Sequence, residues 1–156
     1  MYRKRLIRYN YATRMGNRIE YIVVHDTGNS RNGADAAAHC SYFDQPGRNA
    51  SAHYLVDSRE VVQIVEDFHA AWHCGDGRGK YGINNSNSIG IELCINGDGD
   101  WNETRRKGID LIRGLMKKHG LPKERVVRHF DASGKLCPRS MSDWGWREWT
   151  RFYDKI

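Results

Sequence analysis

The segment Ile89-Gly90-Ile91-Glu92-Leu93-Cys94-Ile95 alternates without interruption. Its odd positions are all large and apolar, while Gly90, Glu92 and Cys94 share the opposite side. A period of two is that of a β-strand with one face on the core, so Glu92 stands off the core face. Outward from this strand, Ile19 to His25 is dominated by β-branched and aromatic residues and reads as a second strand. It runs into the loop Asp26-Thr27-Gly28-Asn29, which puts His25 at the mouth of the sheet. Ala52 to Val56 and Val61 to Val65 read as a hairpin across Asp57-Ser58-Arg59-Glu60, and Val126-Val127-Arg128-His129 as a short strand that again ends in histidine.

Helices fall between these strands. Ala34 to Tyr42 is a short candidate stopped by Pro46-Gly47. A longer one begins at Asn102 or Glu103 and runs to about His119, with Ile109, Ile112, Leu115 and Met116 on one face and Gly120 closing it. Trp144, Trp146 and Trp149 suggest a closing amphipathic helix whose apolar side covers the sheet. Gly75 to Ser88, rich in Gly, Asn and Ser, must be loop, and a loop of this length often shapes a binding site. Strands interleaved with helices and at least one hairpin predict an α/β fold with a mixed sheet flanked by helices. A chain of 156 residues is the size of one domain, and neither a repeat nor an interdomain linker divides it.

Lys and Arg number 25 against 19 Asp and Glu, a formal charge of +6 that draws the protein toward anionic polymers without choosing among them. Much of the excess lies in Arg3, Lys4, Arg5, Arg8, Arg14 and Arg18, which reads as a solvated basic arm or as a contact with such a polymer. Zinc-finger spacing, a helix-turn-helix pattern and an RNP-like strand are all missing, so no specific nucleic-acid partner is expected. No run approaches the ~18 apolar residues of a membrane span. Asn10, Tyr11 and Arg14 interrupt what would have to be the apolar part of a signal peptide, and a GxSxG nucleophile elbow is absent.

Cys40, Cys74, Cys94 and Cys137 permit two disulfides in three pairings. The chain is large enough to fold without them, and Cys40 and Cys94 sit where buried thiols are ordinary. His25, His129 and, eight residues later, Cys137 occupy similar settings at strand ends and an adjoining loop. Two imidazoles and a thiolate satisfy a zinc ion while leaving its fourth position open, as in catalytic sites. Spacing alone does not choose between that site and two polar loop histidines with a buried cysteine.

Five stretches, VVHDTGN at 23–29, SAHYLVD at 51–57, HAAWHCGDG at 69–77, NSIGIELCIN at 87–96 and VVRHFDASGKLCPR at 127–139, make the chain resemble the zinc-dependent N-acetylmuramoyl-L-alanine amidases related to T7-type lysozyme, phage endolysins and peptidoglycan-recognition proteins. They run in the family order along nearly the whole chain. The resemblance implies that residues 1–156 are one amidase catalytic domain of amidase/peptidoglycan-recognition-like fold, binding one Zn2+ through His25, His129 and Cys137. It implies a catalytic carboxylate in Glu92, which takes a proton from the attacking water and returns it to the departing nitrogen, and an oxyanion-stabilising ammonium in Lys135. Tyr54 is implied to orient the water or donate to the oxyanion, with His53 structural. Trp72 and His73 are implied along the substrate groove, with Asn84, Asn85 and Asn87 near the peptide. Asp131 is a candidate acceptor for the outer ring proton of a ligand histidine. The implied substrate is bacterial peptidoglycan, cut between N-acetylmuramic acid and L-alanine. The expected setting is an endolysin or autolysin acting at the cell wall as a monomer, held in the host cytoplasm before release in the case of a phage endolysin. Binding without cleavage is the rival within the family, and the presence of Cys137, Glu92 and Lys135 weighs against it.

Overall fold

The alternating segment around Glu92 becomes the strand on which the rest of the sheet is built. A computed structural model describes residues 2–156. Its elements in chain order are β1 (Arg3–Lys4), β2 (Tyr11–Thr13), β3 (Tyr21–Asp26), α1 (Ala36–Phe43), β4 (Tyr54–Val56), β5 (Val61–Gln63), β6 (His69–Ala71), β7 (Ser88–Leu93), α2 (Trp101–His119), β8 (Val126–Arg128), α3 (His129–Ser133) and α4 (Asp143–Asp154). The main sheet has the order β1-β5-β4-β7-β3-β8, and β2 and β6 form a separate antiparallel pair. The expected hairpin is β4–β5, antiparallel, whereas β7 runs parallel to both β4 and β3 and β3 runs parallel to β8. The sheet is therefore mixed, with parallel strands at its centre, and a parallel centre is normally covered on both faces.

One face carries Ile22, Val24, Tyr54, Val56, Ile89, Ile91 and Leu93, packed on Ile109, Ile112 and Leu115 of α2 and on Trp149 and Phe152 of α4. Asp100 caps α2 by accepting from the backbone N–H groups of Asn102 and Glu103, and Gly120 ends it at φ 64°, a left-handed turn that glycine takes without strain. On the other face, α1 covers the β4–β5 side with Ala36, Cys40 and Phe43 against Leu55, Val62 and Ile64. The remainder of that face, around His25 and Glu92, is left for the site.

Three expectations change. The basic arm folds onto the domain: Arg14 is buried and donates to the carbonyl oxygens of Asp67, Ser86 and Ser88, while Lys4 and Arg8 pair with Glu66 and Asp44. Backbone carbonyls of Asp67 and of the residues leading into β7 satisfy the buried guanidinium, which composition cannot reveal. Of the C-terminal tryptophans, Trp149 is in the core, but Trp144 is 84% exposed because residues 144–146 take positive φ and swing it outward. His129 opens α3 instead of ending β8. All four cysteines are free and buried, and no helix among the described residues is long and apolar enough to cross a membrane.

Tyr54 also departs from expectation. Its register partner is Ile91, on the α2 side, whereas Glu92 pairs with Leu55. The Tyr54 hydroxyl donates to Asp67 Oδ1 at 2.8 Å, and Asp67 Oδ2 receives Lys118 and His119 at 2.7 and 2.8 Å. Tyr54 therefore ties the sheet to the end of α2 and does not reach the site. Burial works to raise the Asp67 carboxyl, but hydrogen bonds from Lys118, Tyr54 and His119 outweigh it and hold the group below its ordinary value. A carboxyl depressed in the folded state stabilises above its unfolded value and loses that contribution as pH falls through the folded one. Tyr54→Phe is expected to cost about 1–3 kcal/mol in urea unfolding near neutral pH. Asp67→Asn is expected to flatten the stability loss below about pH 4.

Candidate metal centre

Parallel pairing brings the carboxyl ends of β3, β7 and β8 together. His25 lies beside Glu92 in the register of β3 with β7, and His129 follows directly on β8. The loop after α3 turns at Gly134 (φ 86°), and the Phe130 N–H donates to the Cys137 carbonyl at 3.0 Å, folding Cys137 back beneath the helix. Ligand-capable atoms of His25, His129 and Cys137 consequently lie within 4.8 Å of one another, and all three residues are buried. Cys137 Sγ is 3.8 Å from His25 Nδ1, and the two imidazole rings are 4.5 Å apart.

Each histidine is held from behind through its other nitrogen. His25 Nε2 is 3.0 Å from His73 Nδ1, and His129 Nε2 is 2.8 Å from Asp76 Oδ1. His25 Nδ1 thus faces Cys137, and Nδ1 of His129 is buried without a hydrogen-bond partner. A buried orphan nitrogen is costly unless something else meets it. Burial, with help from His129 and Lys135, holds His25 well below the ordinary histidine value, and burial lowers His129 despite Asp76. Both shifts favour the neutral ring, the form that ligates. Burial and the nearby charge of Glu92 push the Cys137 thiol up to about 12, so its thiolate calls for a cation alongside. Two neutral imidazoles and one sulfur, with no fourth protein donor in the group, fit zinc with an open position.

Glu92 Oε2 is buried and unpaired, and the residue lines a cleft of about 320 Å³ with Thr27, Asn29, His39 and Tyr42. Burial, reinforced by the negative charge of Asp26, holds its carboxyl well above the ordinary value, with Lys135 pulling the other way. Lys135 is exposed, and its charge is felt at His25, His129, Glu92 and Cys137.

Other expected site residues are engaged elsewhere. His73 is buried behind His25 and does not line the groove. Asn84 accepts the N–H groups of Ser86 and Asn87, Asn85 accepts those of His73 and Cys74, and Asn87 accepts that of Asn84. The three asparagines fold the loop, and their side-chain carbonyls are spent within it. Asp131 pairs with Arg128, so the partner of His129 is Asp76, which the matched stretch at 69–77 contains but which no local pattern marks. Trp72 is half-buried, its backbone N–H donating to Ser51 Oγ. His53 is buried and accepts the Gly90 N–H, a structural role as expected.

Residues 15–140 match the family model described as N-acetylmuramoyl-L-alanine amidase. The chain is similar to the N-acetylmuramoyl-L-alanine amidase CwlH of Bacillus subtilis (strain 168), 40% identical over 136 residues that cover 87% of this chain and 52% of the relative. It is also similar to the amidase XlyA of the same organism, 43% identical over 123 residues, covering 79% and 40%. The chain thus spans about half the length of the curated relatives it matches. The solved structure of the catalytic domain of XlyA superimposes with a TM-score of 0.85 at 36% identity, covering 100% of this chain and 99% of that one.

Proposed function

Because the chain belongs to the N-acetylmuramoyl-L-alanine amidase family, we propose that it hydrolyses the amide between N-acetylmuramic acid and L-alanine in bacterial peptidoglycan, with one zinc ion held by His25, His129 and Cys137. The observation that carries this reading is the cluster of His25, His129 and Cys137, in which His25 Nδ1 meets the thiol and His129 Nδ1 is buried and free, with Glu92 beside His25 in the sheet and its Oε2 unpaired. Zinc bound there supplies Lewis-acid polarisation of the scissile carbonyl and lowers the pKa of a water molecule.

The chain's own groups do the rest. Glu92 takes a proton from the attacking water as its oxygen bonds to the lactyl carbonyl carbon, and a carboxyl held above its ordinary value is the stronger base for that exchange. Lys135 offsets the negative charge that gathers on the carbonyl oxygen. Glu92 then returns the proton to the amide nitrogen, the C–N bond breaks, and a lactyl carboxylate and the free amino group of L-alanine result. Trp72, half-buried, is the ring proposed to meet a sugar face. Residues 1–156 act as one catalytic domain, as a monomer at the cell wall, in an endolysin or autolysin.

The direct test is loss of turbidity of purified cell walls. Treatment with a strong chelator is expected to stop clearing, and stoichiometric zinc to restore it; clearing that persists in a protein shown to be metal-free contradicts the reading. Asp76→Ala, which removes the acceptor behind His129, is expected to weaken zinc binding by ~10–100-fold, measured by chelator competition, while the fold persists because Asp76 lies at an exposed loop.

A further inference from the structure

The hydrogen bonds behind His25 can be followed to a fixed end. Ser88 Oγ lies 2.5 Å from the carbonyl oxygen of Asn84. A carbonyl only accepts, so the single hydroxyl hydrogen of Ser88 is spent there. The same oxygen is 3.1 Å from His73 Nε2, and with its hydrogen committed it can only accept. His73 therefore carries a proton on Nε2. The ring is buried, and its two nitrogens meet a hydroxyl and an imidazole, neither of them negative. A second ring proton would be an uncompensated buried charge, so Nδ1 of His73 is a bare acceptor. His25 Nε2, 3.0 Å away, must donate to it, which leaves the lone pair of His25 on Nδ1, the atom that faces Cys137.

We infer that His73 is a positioning residue: through the chain Asn84–Ser88–His73 it holds His25 in the one neutral tautomer whose Nδ1 can ligate a metal. The inference rests on the proposed reading of His25 as a ligand. Two further features hold the ring in place. A side chain at position 90 would meet the His73 ring at 2.5–2.8 Å, so the glycine in the middle of β7 is the space in which that ring lies flat on the sheet. Asn85 Oδ1 clamps the backbone by accepting the N–H groups of His73 and Cys74 at 3.0 and 2.8 Å. The two ligand histidines are thus oriented by different chemistry, His129 by a carboxylate and His25 by a neutral imidazole whose own tautomer is set two residues further on.

The test reads the tautomer itself. In metal-free protein at neutral pH, long-range proton–nitrogen correlation spectra of the imidazoles are expected to show His25 as the Nε2–H form in the parent and as a mixture of forms in His73→Phe and in Ser88→Ala. Zinc affinity by chelator competition is expected to fall ~10–100-fold in His73→Phe. Most of it should return in His73→Asn, whose side-chain oxygen comes near the position of Nδ1. A merely structural role would lower the melting temperature without moving the tautomer and without that rescue. His25 found as Nδ1–H in the parent, or the parent's tautomer and zinc affinity retained in folded His73→Phe, overturns the inference. Where His73→Phe does not fold, Ser88→Ala decides it alone, and an unmixed Nε2–H signal there is the contrary result. A parent protein that binds no zinc would instead defeat the proposed function, and its spectra would still decide the assignment to His73.

Discussion

Glu92→Gln is expected to lower kcat for a muramyl peptide by ~10²–10⁴-fold while zinc content and KM stay close to the parent's. The amide keeps the size of the carboxyl but cannot take a proton from water. Because Glu92 sits on β7 and is not among the three clustered donors, the metal should remain. Its Oε2 has no partner in the fold, so no internal hydrogen bond at that atom is lost. Burial and the charge of Asp26 make the ionised carboxyl unfavourable in the fold, so replacing it with a neutral amide should not reduce stability, and thermal unfolding of zinc-loaded Glu92→Gln is expected at or above the parent's midpoint. A large fall in activity with an unchanged or raised midpoint separates a chemical role from a structural one. Loss of zinc in this variant would show that the carboxylate belongs to the metal site and would change its assignment.

Cys137→Ser has the second large effect expected. The serine hydroxyl is a poor replacement for a thiolate toward zinc, and the two remaining histidine nitrogens cannot hold the ion alone at ordinary concentrations. Zinc affinity is expected to fall by at least ~100-fold, as in the upper range for disturbing a metal's immediate surroundings, with wall clearing lost at trace zinc and partly recovered when zinc is added in excess. The substitution is nearly isosteric, and the thiol's contact to His25 Nδ1 is a long one of 3.8 Å, so the metal-free variant should unfold within about 1 kcal/mol of the metal-free parent. This variant also bears on recognition without cleavage: a protein that retains binding to wall material after losing zinc would show that the groove and the metal contribute separately.

Much of this site was legible in the chain because it depends on strand ends. The alternation from Ile89 to Ile95 puts Glu92 on the non-core face, and hydrophobic strands ending about His25 and His129 put both histidines at the carboxyl end of the sheet. What could not be read was which side of β4 faces the site. Tyr54 and Leu55 are both fully buried, so no polar–apolar alternation marks the faces, and only the pairing of Leu55 with Glu92 resolves them. The roles of His73 and Asp76 were hidden for another reason. Each acts on a residue about fifty positions away through one nitrogen, and a loop rich in glycine and asparagine looks the same from its sequence whether its polar groups face substrate or each other. Composition does not mark the burial of Arg14, since a guanidinium satisfied by backbone carbonyls has no acidic partner in the sequence. Trp144 escaped because a helical repeat of tryptophans says nothing of the left-handed bend that turns one of them outward.

This geometry is expected to cut one bond, and the most direct measurement is mass analysis of a defined muramyl peptide incubated with zinc-loaded protein, chelator-treated protein and zinc-loaded Glu92→Gln. The expected result is free stem peptide and an intact sugar bearing a lactyl carboxylate in the first sample only. Intact substrate in all three, with folding and zinc occupancy verified, or cleavage within the peptide or the glycan instead, would contradict it.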